Sequence, residues 1–277
     1  MRIAICLNGL VVGKEGYDTW VKSRNYLKDE IIDFYNNSPS DNHHQEYQVD
    51  VFAHTWEKDD FEEEEFKEVY QPKAYLIEPQ KQFDEEVEQI MTPAPEYTRW
   101  ATFSWRYSSF KSVELKRNYE KEHNFVYDVV LLCRYDQGFR FPWHKDSFEF
   151  NPWFDMNYVY CEYWWGMNEG PGDIYFYSNS KNIDIIADQY NHLVEYLKFG
   201  SEFEKALYND WPLSNPDAPA SKEIFRPKEK RSKQTTRCEY KTKKSNHAIM
   251  KWHMMKYNIY EKIRPVGKYS TNRRSEY

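Results

Sequence analysis

Arg134, Tyr135 and Asp136 stand directly behind the unbroken apolar run Val129–Cys133. A run that short and that apolar reads as a central strand covered on both faces, and in open α/β sheets ligands bind outside the carboxyl ends of the strands. An arginine and a carboxylate two residues apart would there face a shared crevice and make ionic contacts with a polar ligand. The same residues also describe an ordinary ion pair capping a strand, because any strand end switches from apolar to ionic. A second carboxylate, Asp173, follows Gly170-Pro171-Gly172 at the start of another expected strand, Ile174–Tyr177. A carboxylate so placed suits general-base removal of a proton from an attacking hydroxyl; its alternative role is to cap the turn through backbone amides.

Elements must position these residues, and the chain is long enough to build them. Its 277 residues make one domain, or one domain with an appendage. The aromatic content of 18%, with 24 Tyr and 10 Trp, supplies a core and can also line a cleft for flat polar ligands. A net charge of −7 argues against a general nucleic-acid binder. Cys6, Cys133, Cys161 and Cys238 show no metal-ligand spacing and read as reduced core residues of a cytoplasmic protein. The amino terminus has no cleavage pattern of a signal peptide, and no apolar run is long enough to span a bilayer.

In order, Arg2–Leu7 is the expected first strand, turned by Asn8-Gly9, and Tyr17–Tyr35 an amphipathic helix. A strand, a glycine turn and a helix form a common nucleotide-binding entry, although no GxGxxG is present. Val49–Thr55 reads as a second parallel strand that ends in His54-Thr55-Trp56, with buried packing the plainer role for the tryptophan. Glu57–Glu68, with eight acidic and two basic residues, reads as a solvated loop or helix face. Lys73–Ile77 is a short third strand, Glu78–Glu96 an irregular connection with three prolines, and Ser108–Glu122 a helix with Phe110, Val113 and Tyr119 inward.

Beyond the central strand the chain becomes aromatic and irregular, with Trp143, His144, Asp146, Trp153, Asp155, Trp164 and Trp165 close together. Aromatic faces stack on sugar rings and carboxylates accept from their hydroxyls, so this mixture suits a carbohydrate acceptor; each tryptophan taken singly reads first as core. Tyr158–Glu162 is an expected strand and Ile183–Leu197 a single helix. Lys222–Lys244 carries ten Lys/Arg against three Glu and reads as a basic loop able to attract phosphate or an anionic polymer. Ser245–Tyr257 recovers a helical pattern bearing His247, Lys251 and His253, the histidines being either solvated or spare metal ligands.

RIAICLNG at Arg2–Gly9, DVFAHTW at Asp50–Trp56, SSFKSVELKRNYE at Ser108–Glu120, YDVVLLCRYD at Tyr127–Asp136 and GDIYFYSNSKNID at Gly172–Asp184 carry a resemblance. In this order the chain resembles glycosyltransferase-like proteins of the nucleotide-diphospho-sugar transferase (GT-A) fold, common in phages, large viruses and bacteria. The resemblance implies an α/β domain with a mixed, mostly parallel sheet, a donor-binding half at residues 1–140 and an acceptor-binding half at residues 141–277. It further implies that Asn8, Gly9 and His54 border the nucleotide, that Lys111 faces the donor, and that Arg134-Tyr135-Asp136 replaces the family's Asp-x-Asp metal motif. Asp136 is then the expected ligand of Mn²⁺ or Mg²⁺, which neutralises charge growing on a diphosphate leaving group. Arg134 stands where the motif has its first acid, and can pair directly with phosphate.

The function expected from this is transfer of a sugar from a nucleotide-diphosphate sugar to a glycan-type acceptor, in the cytoplasm, or the host cytoplasm for a viral protein. Two alternatives remain open: a catalytically inactive nucleotide- or anion-binding protein of the same fold, and a nucleotidyltransferase.

Overall fold

The structure is a computed structural model that describes residues 1–11, 24, 27–37, 46–58, 61–90, 96–135, 148–163, 167, 170–198, 200–208 and 246–266. Its strands are β1 (Arg2–Asn8), β2 (Gln48–Trp56), β3 (Ala74–Glu78), β4 (Val129–Arg134), β5 (Val159–Glu162), β6 (Tyr175–Ser178) and β7 (Ile263–Val266). They form one sheet in the order β3-β2-β1-β4-β6-β5-β7. The pairings β1–β2, β1–β4, β2–β3 and β5–β7 are parallel, while β6 is antiparallel to both β4 and β5. Among the described strands β6 alone is therefore reversed, and the apolar run identified in the sequence is the fourth strand of seven. Both expected halves of the chain contribute strands to this one sheet.

A π-helical stretch Lys28–Asp33 runs into a turn of α-helix at Phe34–Asn37, together α1. The other helices are α2 (Glu63–Tyr70), α3 (Asp84–Glu88), α4 (Glu96–His123), α5 (Ser180–Ala187), α6 (Gln189–Leu197), α7 (Glu202–Tyr208) and α8 (Asn246–Lys256). Among the described residues no helix is long and apolar enough to cross a membrane.

The two faces of the sheet are packed differently, because alternate residues of a strand point to opposite sides. Ile3, Ile5, Leu7, Val49, Val51, Ala53, Val129 and Leu131 belong to an apolar, tyrosine-rich core that includes residues of α1 and α2. Ala4, Cys6, Phe52, Val130 and Leu132 belong to the other core, shared with α4, α5 and α8. Cys6, Cys133 and Cys161 are buried free thiols, as expected; Cys238 lies outside the described residues.

Helix α4 runs about three turns further toward the amino terminus than the pattern suggested, beginning immediately after Pro95. Proline is tolerated at the very start of a helix, so the prolines there mark a boundary rather than a long irregular connection. Of the residues expected inward on α4, Val113 is fully buried and Tyr119 packs partly buried against Phe52 of β2, while Phe110 lies against Tyr190; the row Ser108, Ser112, Lys116 and Glu120, at i, i+4 spacing, is buried as well. Lys116 donates to Glu120 at 2.9 Å and Asp184 at 2.8 Å, and also to Ser180, while Glu120 accepts the Tyr127 amide at 2.9 Å. These partners satisfy a fully buried lysine, which otherwise carries a large desolvation cost.

Other boundaries also shift. The helix expected over Ile183–Leu197 is two helices meeting at Asp188: Ile183 and Ile186 pack into the core shared with α4 and α8, while Leu193 and Leu197 pack in a separate cluster with Trp56, Phe83 and Phe103. α5 opens on Asn179, whose side chain accepts the Asn182 amide. The acidic run Glu57–Glu68 contains the first turns of α2, where Glu63, Glu64 and Glu65 favour a helix amino terminus and Phe66 and Tyr70 bury the opposite face. β6 begins at Tyr175, two residues after Asp173.

Candidate functional site

The strand order reverses between β1 and β4, the place where open α/β sheets leave a crevice beyond the carboxyl ends of their strands. Asn8 and Arg134 are register partners across that reversal. The Asn8 side chain is 2% exposed, and its Nδ2 donates to the Cys133 carbonyl at 2.8 Å. That bond fixes the orientation of the amide, since two oxygens would repel, and leaves Oδ1 with no hydrogen-bond partner among the described residues.

Gly9 follows with φ +105, a conformation that suits glycine. Its amide donates to Ser108 Oγ at 2.7 Å, and Ser108 Oγ lies 2.7 Å from His54 Nδ1. His54 Nε2 lies 3.1 Å from Glu78 Oε1, an acceptor, so Nε2 carries the ring proton, Nδ1 is bare, and the Ser108 hydroxyl donates to it. The result is a directed chain from Gly9 through Ser108 and His54 to Glu78, tying the turn after β1 to α4, β2 and β3. Burial pushes the His54 pKa down to about 4, partly opposed by Glu78, so the imidazole is neutral at pH 7. His54 is fully buried and both ring nitrogens are used, so it acts on this edge through Ser108 and Gly9.

Lys111 sits one turn beyond Ser108 on α4, with Nζ 2.7 Å from Glu114 Oε2 and 5.6 Å from the Tyr107 ring centre. Its charge reaches His54 and helps to keep that ring unprotonated. Trp56 is 3% exposed and stacks on Tyr107 at 5.3 Å, which makes it core.

Asp173 arrives at the same edge because β6 is antiparallel: the start of β6 lies beside the end of β4. Tyr175 is the partner of Cys133, and the Arg134 amide donates to the Ile174 carbonyl at 3.4 Å. The glycines before Asp173 serve close packing. A Cβ on Gly170 would lie 2.0 Å from the His247 carbonyl oxygen, and one on Gly172 2.8 Å from that of Glu162. His247 Nδ1 is 2.8 Å from the Pro171 carbonyl, so this turn is joined to the start of α8.

Sequence reasoning missed Ser108, Glu78 and Arg106. Arg106 is 2% exposed, donates to the Asn246 carbonyl at 3.3 Å, and has no partner for Nε among the described residues. Burial pushes its pKa down to about 9, against the charge of Asp173. The available signal was the row Thr102, Arg106, Ser109 and Val113, four buried positions at helical spacing with an arginine among them.

The chain matches no family model, no curated protein and no solved structure.

Asn8, Gly9, Arg134 and Asp173 share the carboxyl edge; His54 and Lys111 stand behind it. Asp136, with the basic segment Lys222–Lys244, Trp143, Trp164 and Trp165, lies outside the described residues. Among the described residues no three His, Cys, Asp or Glu side chains are grouped to hold a metal ion. Glu78 is committed to His54, and His253 is a core residue rather than a solvated one. Its Nε2 lies 2.6 Å from the Ile185 carbonyl and its Nδ1 3.0 Å from the Tyr196 hydroxyl, and burial pushes its pKa down to about 4.

Proposed function

We propose that the protein is a glycosyltransferase of GT-A-like fold that takes a sugar from a nucleotide-diphosphate sugar. The observation that carries this reading is the pairing of Asn8 with Arg134 across the reversal of strand order, with Asp173 delivered beside them by the antiparallel β6. Neighbouring strands are ~4.8 Å apart, so a ligand lying across the ends of β1, β4 and β6 spans about 10 Å, the scale of a diphosphate joined to a sugar.

In this reading Arg134 faces the diphosphate and Asn8 Oδ1 accepts a hydrogen bond from the nucleoside. Asp173 takes the proton of the acceptor hydroxyl as its oxygen bonds to the anomeric carbon. The bond from that carbon to the phosphate oxygen breaks, and its electron pair leaves with the nucleoside diphosphate. The Arg106 guanidinium interacts electrostatically with Asp173. Mn²⁺ or Mg²⁺ on Asp136 would add charge neutralisation on the leaving group.

A thermal-shift screen of UDP-, GDP-, CDP- and dTDP-sugars, with Mn²⁺ and with EDTA, tests this. One nucleotide class at about 100 times its dissociation constant is expected to add roughly 2.7 kcal/mol. Stabilisation by none of them counts against the reading. A second reading, a binding protein without turnover, is favoured by one observation: a cation, Arg134, where the resemblance expects an acid. Slow hydrolysis of the stabilising sugar nucleotide separates the two, since a transferase leaks sugar to water and a binding module does not.

A further inference from the structure

Two large exposed rings stand together at the end of the sheet opposite the candidate site. Phe34 of α1 is 53% exposed, and Trp153, on the approach to β5, is 54% exposed. Both rest on the buried Tyr35, with ring centres 5.0 and 6.2 Å from its own. Trp153 Nε1 donates to the hydroxyl of Tyr47, directly before β2, at 2.7 Å. β5 is antiparallel to β6 and β6 to β4, so the approach to β5 and the start of β2 both lie at the amino edge.

The indole of Trp153 is held in place. Its backbone amide donates to Asn151 Oδ1 at 3.0 Å, its ring N–H is taken by Tyr47, and Tyr35 and Tyr47 meet the ring at 61° and 82°. The entropy of ordering this side chain is lost on folding rather than on binding. With its N–H satisfied, the ring offers an apolar surface, and exposure of about half is what one open side of a flat ring leaves.

The surroundings decide what fits that face. Asp155 and Asn157 are exposed a few residues beyond Trp153, Asn37 is exposed beyond Phe34, and Glu46 adjoins Tyr47. Carboxylates and amides of this kind suit hydroxyl groups. The charged residues nearest these rings in the chain are Asp33, paired with Lys28 at 2.6 Å, together with Glu46 and Asp155, which disfavour phosphate and an anionic membrane. Tyr47 is bonded directly to the indole, so no gap separates the two rings to cage a quaternary ammonium. Two half-exposed rings offer on the order of 200 Å², well short of the ~800 Å² per partner of a stable protein interface. A ligand with a flat C–H face and a hydroxylated edge remains, and that is a sugar ring, the partner the sequence suggested for Trp153 and Asp155.

We propose that Trp153 is the stacking platform of a carbohydrate site at the amino edge of the sheet, taking one ring of a neutral oligosaccharide. The proposal stands independently of the transferase reading.

Saturation-transfer NMR on the full chain tests it, with maltohexaose, cellohexaose and N-acetylchitotetraose as probes and tetramethylammonium as the cationic control. At least one oligosaccharide should show transfer, strongest at the C–H protons of one ring face. Trp153→Ala should weaken that binding about tenfold, and Trp153→Phe, whose smaller ring keeps the packing on Tyr35, about threefold. The phenylalanine variant decides the matter should the alanine variant not fold. Tyr47→Phe, which frees the indole N–H, should also weaken binding, and Arg134→Ala should leave it intact. The proposal is overturned by transfer from none of the three oligosaccharides, by undiminished transfer in both Trp153 variants, or by a response to tetramethylammonium alone. Loss of transfer in Arg134→Ala would place the sugar at the carboxyl edge and overturn it equally. So would a dimer in sedimentation that either Trp153 variant dissociates, since the rings would then be an interface between copies.

Discussion

The face of the sheet that meets α1 and α2 is filled by aliphatic and tyrosine side chains, whereas the face that meets α4 holds Asp50, His54, Ser108, Lys116 and Glu120 among its apolar residues. An apolar face tolerates exchange of one hydrophobe for another of similar volume, because its stabilisation is non-directional. A face with buried polar partners does not, since each group left alone keeps its full desolvation penalty. Directional chemistry accordingly gathers on the α4 side: the Gly9 amide is tied to Ser108 there, and Asp173 interacts with the charge of Arg106.

Substitutions can sharpen this contrast. The largest effect is expected at Asp173, where Asp173→Asn should cut sugar transfer by on the order of 10² to 10⁴ with donor affinity and stability nearly unchanged. Near-normal turnover, or a product of retained anomeric configuration, removes Asp173 as base. Next comes Lys116→Met, which leaves Glu120 without its cation and Asp184 with Arg117 alone at 3.6 Å, and should cost ~3–5 kcal/mol in urea unfolding. A loss below 1 kcal/mol would mean that the buried network is not specific to this face.

Acid should reveal the same asymmetry. His54 and His253 have pKa values lowered to about 4 in the fold, against ~6.5 in the unfolded chain. The unfolded state therefore binds more protons below pH 6.5. Stability should be full above that pH, fall as pH drops toward 4, and level out there, each histidine accounting for on the order of 3 kcal/mol at most. Unfolding midpoints at pH 7.5, 6.0 and 5.0 measure this, and His253→Gln should flatten part of the slope; a flat profile in the wild type would contradict it. The smallest effect is expected for Ser108→Ala, which removes a partner from the Gly9 amide and from His54 Nδ1 and should cost ~1–3 kcal/mol. Its sugar-nucleotide affinity should fall along with stability if the Gly9 turn borders the donor, and remain unchanged if it does not.

The apolar face was the more legible part of the sequence. β1, β2 and β4 announce themselves as short runs with no polar interruption on one side, and the residues at their ends, Asn8, Gly9 and Arg134, could be placed before any coordinates. The relay could not. Ser108 is 54 residues from His54, and His54 is 24 from Glu78, so no local pattern links them. Periodicity left the polar row of α4 unread, since a search for apolar spacing selects Val113 and Tyr119, which do pack on the core, and passes over Ser108 and Ser112. Small side chains there let the helix lie close to the strands, and that closeness brings Ser108 within reach of both Gly9 and His54. Arg106 escaped notice because it lies ahead of the helix expected over Ser108–Glu122, and an arginine ordinarily implies a solvated position.

Helix α4 is joined to the rest of the fold at three separate places along its length. Thr102 and Arg106 hold Asn246 of α8, Ser108 holds the turn after β1, and Lys116 with Glu120 holds Ser180, Asp184 and the approach to β4. A single inserted or deleted residue between Ser109 and Ala101 or between Ser109 and Glu120 would turn one set of contacts about 100° away from the other and shift it 1.5 Å along the axis. Over evolutionary time this segment can exchange residues but cannot change length, while loops elsewhere in the same protein remain free to grow or shrink. Residues 101–120 are thus the natural anchor for aligning distant relatives of this chain, even where every side chain at the site has been replaced.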